Sequence, residues 1–346
     1  MSLGYVTAGD LAQGLLPLHV RGDALAQTMQ DKPMLKWCES KKKTFAGGLN
    51  FQITEPVQGQ FMSDTTTLQG YSQDDQLNFG QAQNAQRTSF FGKEHNYGLI
   101  ITWTELKQAG ITIDDKQAIR RHSEKELYVL MDELKNRMAD FAESYTRGKA
   151  RLFFLDGSQD PKAMAGFKSI ITDTISAGTT GGISRTTYPW WQTRGNLTLQ
   201  PSGENQNLCR FFQTELRMLR LFGGRPDFAI CGQDFLNALE MEIRAKGVYT
   251  QEGFTKDETN DFGQGAISLK GLGKFTWEPM LDQLGESKRC YVLDSRRIKV
   301  RPMEDEDDKA LTPVRPYNYL VFLHNITWTG AMTAAQLNCH GVYSIV

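Results

Sequence analysis

The chain has 346 residues, 40% apolar, 23% charged and 10% aromatic, with 39 basic and 40 acidic residues for a net charge of −1. This is chain enough for two or three compact modules, with an ordinary globular composition. The charge balance argues against a dedicated nucleic-acid binder, which carries a basic excess, and against a wholly disordered chain.

Residues 1–44 read as an arm. Short helix-like stretches at Asp10–Leu16 and Asp23–Gln30 are broken by Pro17 and Pro33 and lead to Lys41, Lys42 and Lys43. No basic region precedes Leu15–Leu18, which is too short for a signal peptide, and no apolar run reaches the ~20 residues a bilayer needs. The expectation is a chain that stays where it is made. Five scattered cysteines without a C-x-x-C pair make a disulfide framework improbable and fit a reducing compartment.

Residues 45–98 hold nine glutamines among Thr, Ser, Asn and Gly, flanked by β-prone pieces at Leu49–Thr54 and His95–Trp103. Two readings stay open. One is a two-stranded excursion, polar on both faces, which needs a further surface such as a neighbouring subunit. The other is a flexible loop.

A long helix is predicted from Asp114–Asp115 to about Arg147. Leu127, Leu130, Met131, Leu134, Met138, Phe141 and Tyr145 share one face, and Gly148 supplies a stop. From Gly166 to Gly285 the pattern is α/β. Gln206–Phe222 forms an amphipathic helix through Leu208, Phe212, Leu216, Leu219 and Phe222. Asp227–Cys231 is a buried strand, Phe235, Leu236, Leu239 and Ile243 line a second helix, and 247–274 is irregular. Strands are predicted at Cys290–Leu293, Ile298–Met303, Tyr317–Trp328 and Val342–Val346, with the acidic run Glu304–Asp308 at a hairpin tip.

Motifs for chemistry are sparse. Each Gly-Lys pair lacks the Ser or Thr of a phosphate loop. Gly263-Gln264-Gly265 lacks a third glycine, and there is no H-E-x-x-H. Cys339-His340 is the one adjacent metal-capable pair, read as a buried cysteine beside a surface histidine. The acidic run fails the calcium-loop spacing and reads as a solvated tip or a contact to a basic neighbour. Lys41–Lys43 read as solvated or as a phosphate contact. No catalytic residue, cofactor site or metal site is expected.

Gly181-Gly182-Ile183-Ser184-Arg185-Thr186-Thr187-Tyr188-Pro189-Trp190-Trp191 resembles a signature of one group of tailed-phage major capsid proteins, with Ser184 in place of its usual aspartate. The order of parts is similar too: arm, polar β excursion, spine helix, α/β region, terminal strands. The signature's structural residues are Gly181, Gly182, Ile183, Arg185, Tyr188, Pro189, Trp190 and Trp191. Core anchoring and an intersubunit hot spot both stay open for the tryptophans. Arg185 is expected to pair with a carboxylate or stack on an indole.

The resemblance implies an α+β fold of the Hong Kong 97 type. Residues 1–44 would be the N-terminal arm and 45–100 an extended β-hairpin loop. Residues 101–165 would be the peripheral domain with its spine, 166–287 the axial domain and 288–346 the peripheral strands. It implies subunit contacts at Phe51, Gln58, Gln60, Phe61, Tyr71, Phe79, Phe90 and Lys93, and at Glu304, Asp305, Glu306, Asp307 and Asp308. The implied role is self-assembly into hexamers or pentamers and then an icosahedral shell. That shell would lie in the virion, built in the host cytoplasm around double-stranded DNA, with no membrane. Separate scaffold, portal and decoration proteins are the implied partners, or no scaffold at all. A non-viral shell of the same fold, holding cargo protein, and a cytoplasmic enzyme with a cysteine nucleophile or an unrecognised cofactor site are the alternatives.

Overall fold

The computed structural model describes residues 30–47, 51–59, 68, 70–77, 79, 85–108, 124–201, 208–245, 266–269, 273–311 and 319–346. The arm before Gln30, and Gln60 and Phe61, lie outside them. Two compact units emerge, each assembled from separated stretches. One contains His95–Gly148 and Asp308–Trp328. The other contains Asp31–Glu94, Lys149–Asp307 and Thr329–Val346.

The second unit is built on a six-stranded mixed sheet. Strands β6 (Arg194–Leu199), β7 (Phe228–Cys231), β8 (Ala266–Leu269), β9 (Gly273–Trp277), β10 (Arg289–Leu293) and β14 (Gly341–Ile345) lie in the order β6-β14-β10-β7-β9-β8. β7 and β10 are apolar on both sides, as central strands must be. Of the β8–β9 antiparallel pair, β8 and the start of β9 lie within the stretch 247–274 expected to be irregular. Glycine and lysine dilute its alternation, which hides a pair that is local in sequence, while the parallel pairing of β9 with β7 is long-range and leaves no local pattern.

Two helices cover this sheet, the first (Leu208–Arg220) and the second (Gln233–Ala245). Leu208, Phe212, Leu216 and Leu219 recur at three- and four-residue steps and enter the core with Phe235, Leu236 and Leu239. Each such side chain contributes roughly 1.5–3 kcal/mol on burial. Phe212 is fully buried, edge-on to Phe235, Phe275 and Tyr343 at centroid distances of 5.8, 5.3 and 5.1 Å. Phe222, expected on the same face, is exposed instead. The helix ends two residues earlier, and the Gly223 N–H caps the Arg220 carbonyl at 3.0 Å.

The long helix (Glu124–Phe154) has 31 residues, about 46 Å. It runs through Gly148, where a stop was expected. Ala150, Phe153 and Phe154 beyond it are fully buried, and that burial outweighs the glycine's cost of about 1 kcal/mol. Residues 109–123 and the side chains of Leu127, Leu130, Met131 and Leu134 lie outside the description. Of the face expected to be apolar, Phe141 is buried but Met138 is exposed.

In the first unit, Phe141 meets Tyr97 of β3 (Lys93–Thr102) at 5.2 Å and His324 of β13 (Val321–Ala334) at 5.7 Å. The short helix after β3 (Trp103–Gln108) opens on a capping box. Thr102 Oγ1 accepts the Glu105 N–H at 3.4 Å, and Glu105 Oε2 accepts the Thr102 N–H at 3.0 Å. Arg137 of the long helix donates to the same carboxylate at 3.1 Å. Among the described residues, no helix is long and apolar enough to cross a membrane.

Phe212→Ala should lower the unfolding free energy by roughly 3–5 kcal/mol, and Phe212→Leu by much less, in chemical denaturation. Equal losses would mean that this core requires the ring contacts of Phe212 and not merely its apolar volume.

Candidate functional site

The base of the polar excursion is a regular antiparallel ribbon. Strand β1 (Gln52–Gln58) pairs with β2 (Ala85–Phe91), from Gln52↔Phe91 to Gln58↔Ala85. It is not polar on both faces, as expected, but two-sided. Ile53, Val57, Thr88 and Phe90 are buried, while Gln52, Thr54, Gln58 and Arg87 are exposed. Side chains alternate across a strand, so these sets occupy opposite faces.

The buried face lies against the signature. Thr179–Thr180 and Ile183–Ser184 form a two-residue hairpin, β4 and β5, whose turn is Gly181-Gly182. Both glycines have positive φ, +58° and +81°, the geometry of a type I′ turn that other residues adopt only with strain. The turn also meets β2. The Ser89 N–H donates to the Gly181 carbonyl at 2.9 Å, and a Cβ at Gly181 would stand 2.8 Å from the Phe90 ring. Gly-Gly therefore meets two demands, turn geometry and close approach.

The rest of the signature holds the same junction. Trp191 is buried, and its Nε1–H donates to the Thr180 carbonyl at 3.0 Å. Trp190 is half-buried and lies over Gly59, where any Cβ would fall inside the indole. Gln86 of β2 donates to Tyr188 Oη at 3.1 Å. Arg185 departs from expectation. It is buried and donates to the Thr174 carbonyl at 2.9 Å and to the Thr172 hydroxyl, neither a carboxylate nor an indole. Ser184 Oγ accepts the Thr187 N–H at 3.4 Å, the turn-closing bond that a short acceptor side chain makes at this position.

A second tie was not legible in sequence. Glu55, mid-β1, pairs with Arg301 of β11 (Ile298–Pro302), whose Nε also donates to Thr333 at 3.1 Å. Opposite charges 246 residues apart carry no local signal. Of the other expected contact residues, Phe51 is half-buried at positive φ, Gln58 is exposed, and Lys93 donates to the Pro161 carbonyl at 3.2 Å. Phe90 is buried under the signature turn of its own chain. The exposed apolar residues lie farther out: Leu68 is 104% exposed, Tyr71 74%, Phe79 86% and Leu77 53%.

The acidic run is not a hairpin tip. β11 and β12 (Lys309–Ala310) both pair antiparallel with β13, so Glu304–Asp308 is an insertion between two stretches with a common partner. Asp305 and Asp308 take positive φ within it. Lys42 pairs with Asp307, and Lys43 and Phe45 donate their N–H groups to Val300 and Pro302 at 3.0 Å. The lysine segment therefore borders β11, and its middle charge is engaged rather than solvated. The Tyr145 hydroxyl donates to Asp308. Glu304 and Asp305 remain exposed.

His340, expected at the surface, is fully buried. Its Nδ1 accepts the Asp294 N–H at 3.2 Å, and burial lowers its pKa to about 4. Burial pushes the adjacent Cys339 thiol up to about 12, which leaves no ready thiolate. Among the described residues, no group of three or more His, Cys, Asp and Glu could hold a metal ion. A second buried titratable group, Glu278, accepts the Met34 N–H at 2.8 Å at the start of the helix Pro33–Ser40. Burial, with Asp31 and Asp282 nearby, raises its pKa to about 7 against the pull of two backbone N–H groups.

No protein-family model matches the sequence, and no curated protein matches it. Solved structures do. The capsid asymmetric unit of cyanophage A-1(L) matches at a TM-score of 0.64 and 15% identity, over 93% of this chain and 95% of that one. The capsid of Myoviridae phage XM1 matches at 0.58 and 11%, over 100% of each chain. A Mycobacterium phage Bobi structure matches at 0.53 and 10%, over 99% of each. At these identities the likeness is one of fold. The chain has the α+β fold of phage capsid proteins, the Hong Kong 97 type.

Two predictions follow from the junction and the buried groups. Gly181→Ala should cost roughly 1–3 kcal/mol and increase proteolysis between residues 59 and 85. Gly182→Ala should cost less, because its Cβ would meet only the Ser89 hydroxyl, at 3.2 Å. The pH prediction has two arms of opposite sign. The His340 pKa is lowered from 6.5 in the fold, so its stability is full above pH 6.5 and falls as pH drops toward 4, by about 3 kcal/mol. The Glu278 pKa is raised from 4.5, so its contribution is full below pH 4.5 and is lost as pH rises through about 7. His340→Asn should flatten the acid arm and Glu278→Gln the neutral arm in denaturation measured from pH 4 to 8.

Proposed function

We propose that this chain is the major capsid protein of a tailed phage, with the signature of the group that its residues 181–191 resemble. It self-assembles into capsomers and then into an icosahedral shell around double-stranded DNA. The observation that carries the reading is the match of fold over nearly the whole of both chains to phage capsid structures. A shell subunit needs surfaces that recur by symmetry, and the excursion provides one. Its base is tied into its own chain, and beyond the base Leu68, Tyr71, Leu77 and Phe79 are left in solvent. An excursion that exposes several large apolar side chains is suited to contact with a neighbouring subunit.

In this reading 1–44 is the N-terminal arm, 45–100 the extended loop, 101–165 and 288–346 the peripheral domain and 166–287 the axial domain. Tyr71, Phe79 and Gln58 contact a neighbouring subunit. Phe90 and Lys93 instead support the loop from beneath. Glu304 and Asp305 are the acids of the 304–308 run left for an intersubunit contact, since Asp307 and Asp308 have partners within the chain. The near-neutral net charge suits a shell that encloses DNA without gripping it. Scaffold, portal and decoration proteins would be separate partners. Assembly takes place in the host cytoplasm, and the product is part of the virion.

Negative-stain electron microscopy of the purified chain should reveal capsomer rings or closed shells. Replacing 60–84 by a short Asn-Gly turn should abolish them while leaving the thermal transition in place, because β1 and β2 still pair. A wider cut, from 50 to 95, would remove Ile53, Val57, Phe90 and Glu55 and damage the fold itself. Shells formed by the 60–84 replacement would overturn the role of the loop. A discrete dimer in every condition, with or without co-expressed scaffold, would overturn the shell.

A further inference from the structure

Cys231 and Cys290 stand opposite each other on β7 and β10, the two central strands of the six-stranded sheet. Both are fully buried, and their sulfurs lie 3.1 Å apart. Cys339 Sγ instead faces the Gln336 carbonyl, and Cys38 lies on the helix Pro33–Ser40.

The backbone around the pair fixes its type. One step outward, the Gly232 N–H donates to the Arg289 carbonyl at 2.8 Å. Antiparallel pairs alternate between bonded and non-bonded, so Cys231 and Cys290 form a non-bonded pair. The Cys231 carbonyl agrees, since it accepts from the Glu278 N–H at 3.0 Å on the other side of its strand. In such pairs the Cα atoms stand about 4.5 Å apart and the side chains approach most closely. That spacing lies within the range a disulfide spans, roughly 4.4–6.8 Å. Neither backbone needs to move for the bond to form.

We propose that Cys231 and Cys290 are a reversible disulfide site that staples β7 to β10 when the chain meets a small-molecule disulfide such as oxidised glutathione. One cysteine thiolate attacks a sulfur of the oxidant, and the S–S bond breaks to release one glutathione thiol. The second cysteine thiolate then attacks the protein sulfur of the mixed disulfide and expels the second glutathione thiol. Two electrons and two protons pass from the pair to the oxidant, which leaves as two thiols, and the protein gains one S–S bond. Burial pushes the Cys231 thiol well above its ordinary range, so exchange in the closed sheet is slow. The dithiol persists in a reducing cell and closes in an oxidising medium or during folding in one. The link would enclose the segment that carries the second sheet-covering helix, β8 and β9. It would therefore hold the far edge of the sheet to its centre.

The test uses the full chain, in two arms. In one, folded protein is held with oxidised glutathione. In the other, the chain is refolded from guanidine in a glutathione redox buffer, so that the pair is accessible as the sheet forms. Both are quenched with iodoacetamide under denaturing conditions and mapped by mass spectrometry. The expected result is a Cys231–Cys290 peptide in the refolding arm, with a mass loss of about 2 Da, three of the five cysteines alkylated, and a raised thermal midpoint that dithiothreitol reverses. Cys209→Ala should leave the link unchanged, and Cys231→Ala should abolish it. Five alkylated cysteines in the refolding arm, glutathione retained on Cys231 alone, or links through Cys38, Cys209 or Cys339 would each overturn the proposal.

Discussion

The loop's base depends on a backbone contact that tolerates no side chain. A two-stranded ribbon is marginal in water, and β1 with β2 is such a ribbon. The Gly181-Gly182 turn fits against β2 because neither residue has a Cβ, and Phe90 fills the space that results. Trp190 closes over Gly59 by the same logic at the other strand. The Glu55–Arg301 pair and the Thr88 hydroxyl bond to the Glu55 carbonyl act from the middle of the ribbon. With the base fixed in this way, the remainder of the excursion can present apolar side chains outward without a core of its own. Residues 181–191 anchor the ribbon within the chain, and Leu68, Tyr71, Leu77 and Phe79 beyond it are exposed.

Electrostatics in this chain is local. With 39 basic and 40 acidic residues the net charge is close to zero, yet individual charges are committed. Lys42 lies with Asp307, Arg194 pairs with Glu215 at the edge of the sheet core, and Arg289 is bidentate to Asp173 at 2.6 and 2.9 Å. Solvent-exposed pairs contribute little to stability, 0–1 kcal/mol in most cases, and these partly buried ones fix where a segment lies. The lysine segment is the example. A run that reads from sequence as solvated is instead held along β11 by two backbone bonds, and its charge follows from that placement.

Elements with a strong period and local limits were legible. The helix through Leu208, Phe212, Leu216 and Leu219 and the strands β7, β10 and β11 sit where periodicity places them, within a few residues. Most of what differed shares one cause: long-range packing overrode a local signal. Gly148 is a plausible stop until Phe153 and Phe154 are buried beyond it. Charged Glu304–Asp308 looks like a tip until β13 is seen to serve both flanking strands. Phe222 continues the helical period, but the chain has already turned at Gly223. His340 is polar and so was placed outside, whereas the Asp294 N–H gives it a buried partner. At the candidate site the signature was visible as a block. Its partners, Gly59, Gln86, Phe90 and Ser89, were not, because they lie about a hundred residues upstream.

An identity of 10–15% over full-length matches is physically coherent with these observations. Most of the core asks only for apolar side chains of about the right volume in the right period, and cores tolerate extensive exchange on those terms. The aromatic cluster around Phe212 is one solution among many. Positions that require a particular backbone are far fewer; Gly59 and Gly181 at the loop's base are two of them, and Gly166, Gly224 and Gly232 are others. Ser184 illustrates the remaining freedom. A short oxygen acceptor suffices to receive the Thr187 N–H, so more than one side chain can close this turn. A fold specified by pattern in its core, and by residue identity only where strands must nearly touch, can drift far in sequence while keeping its architecture.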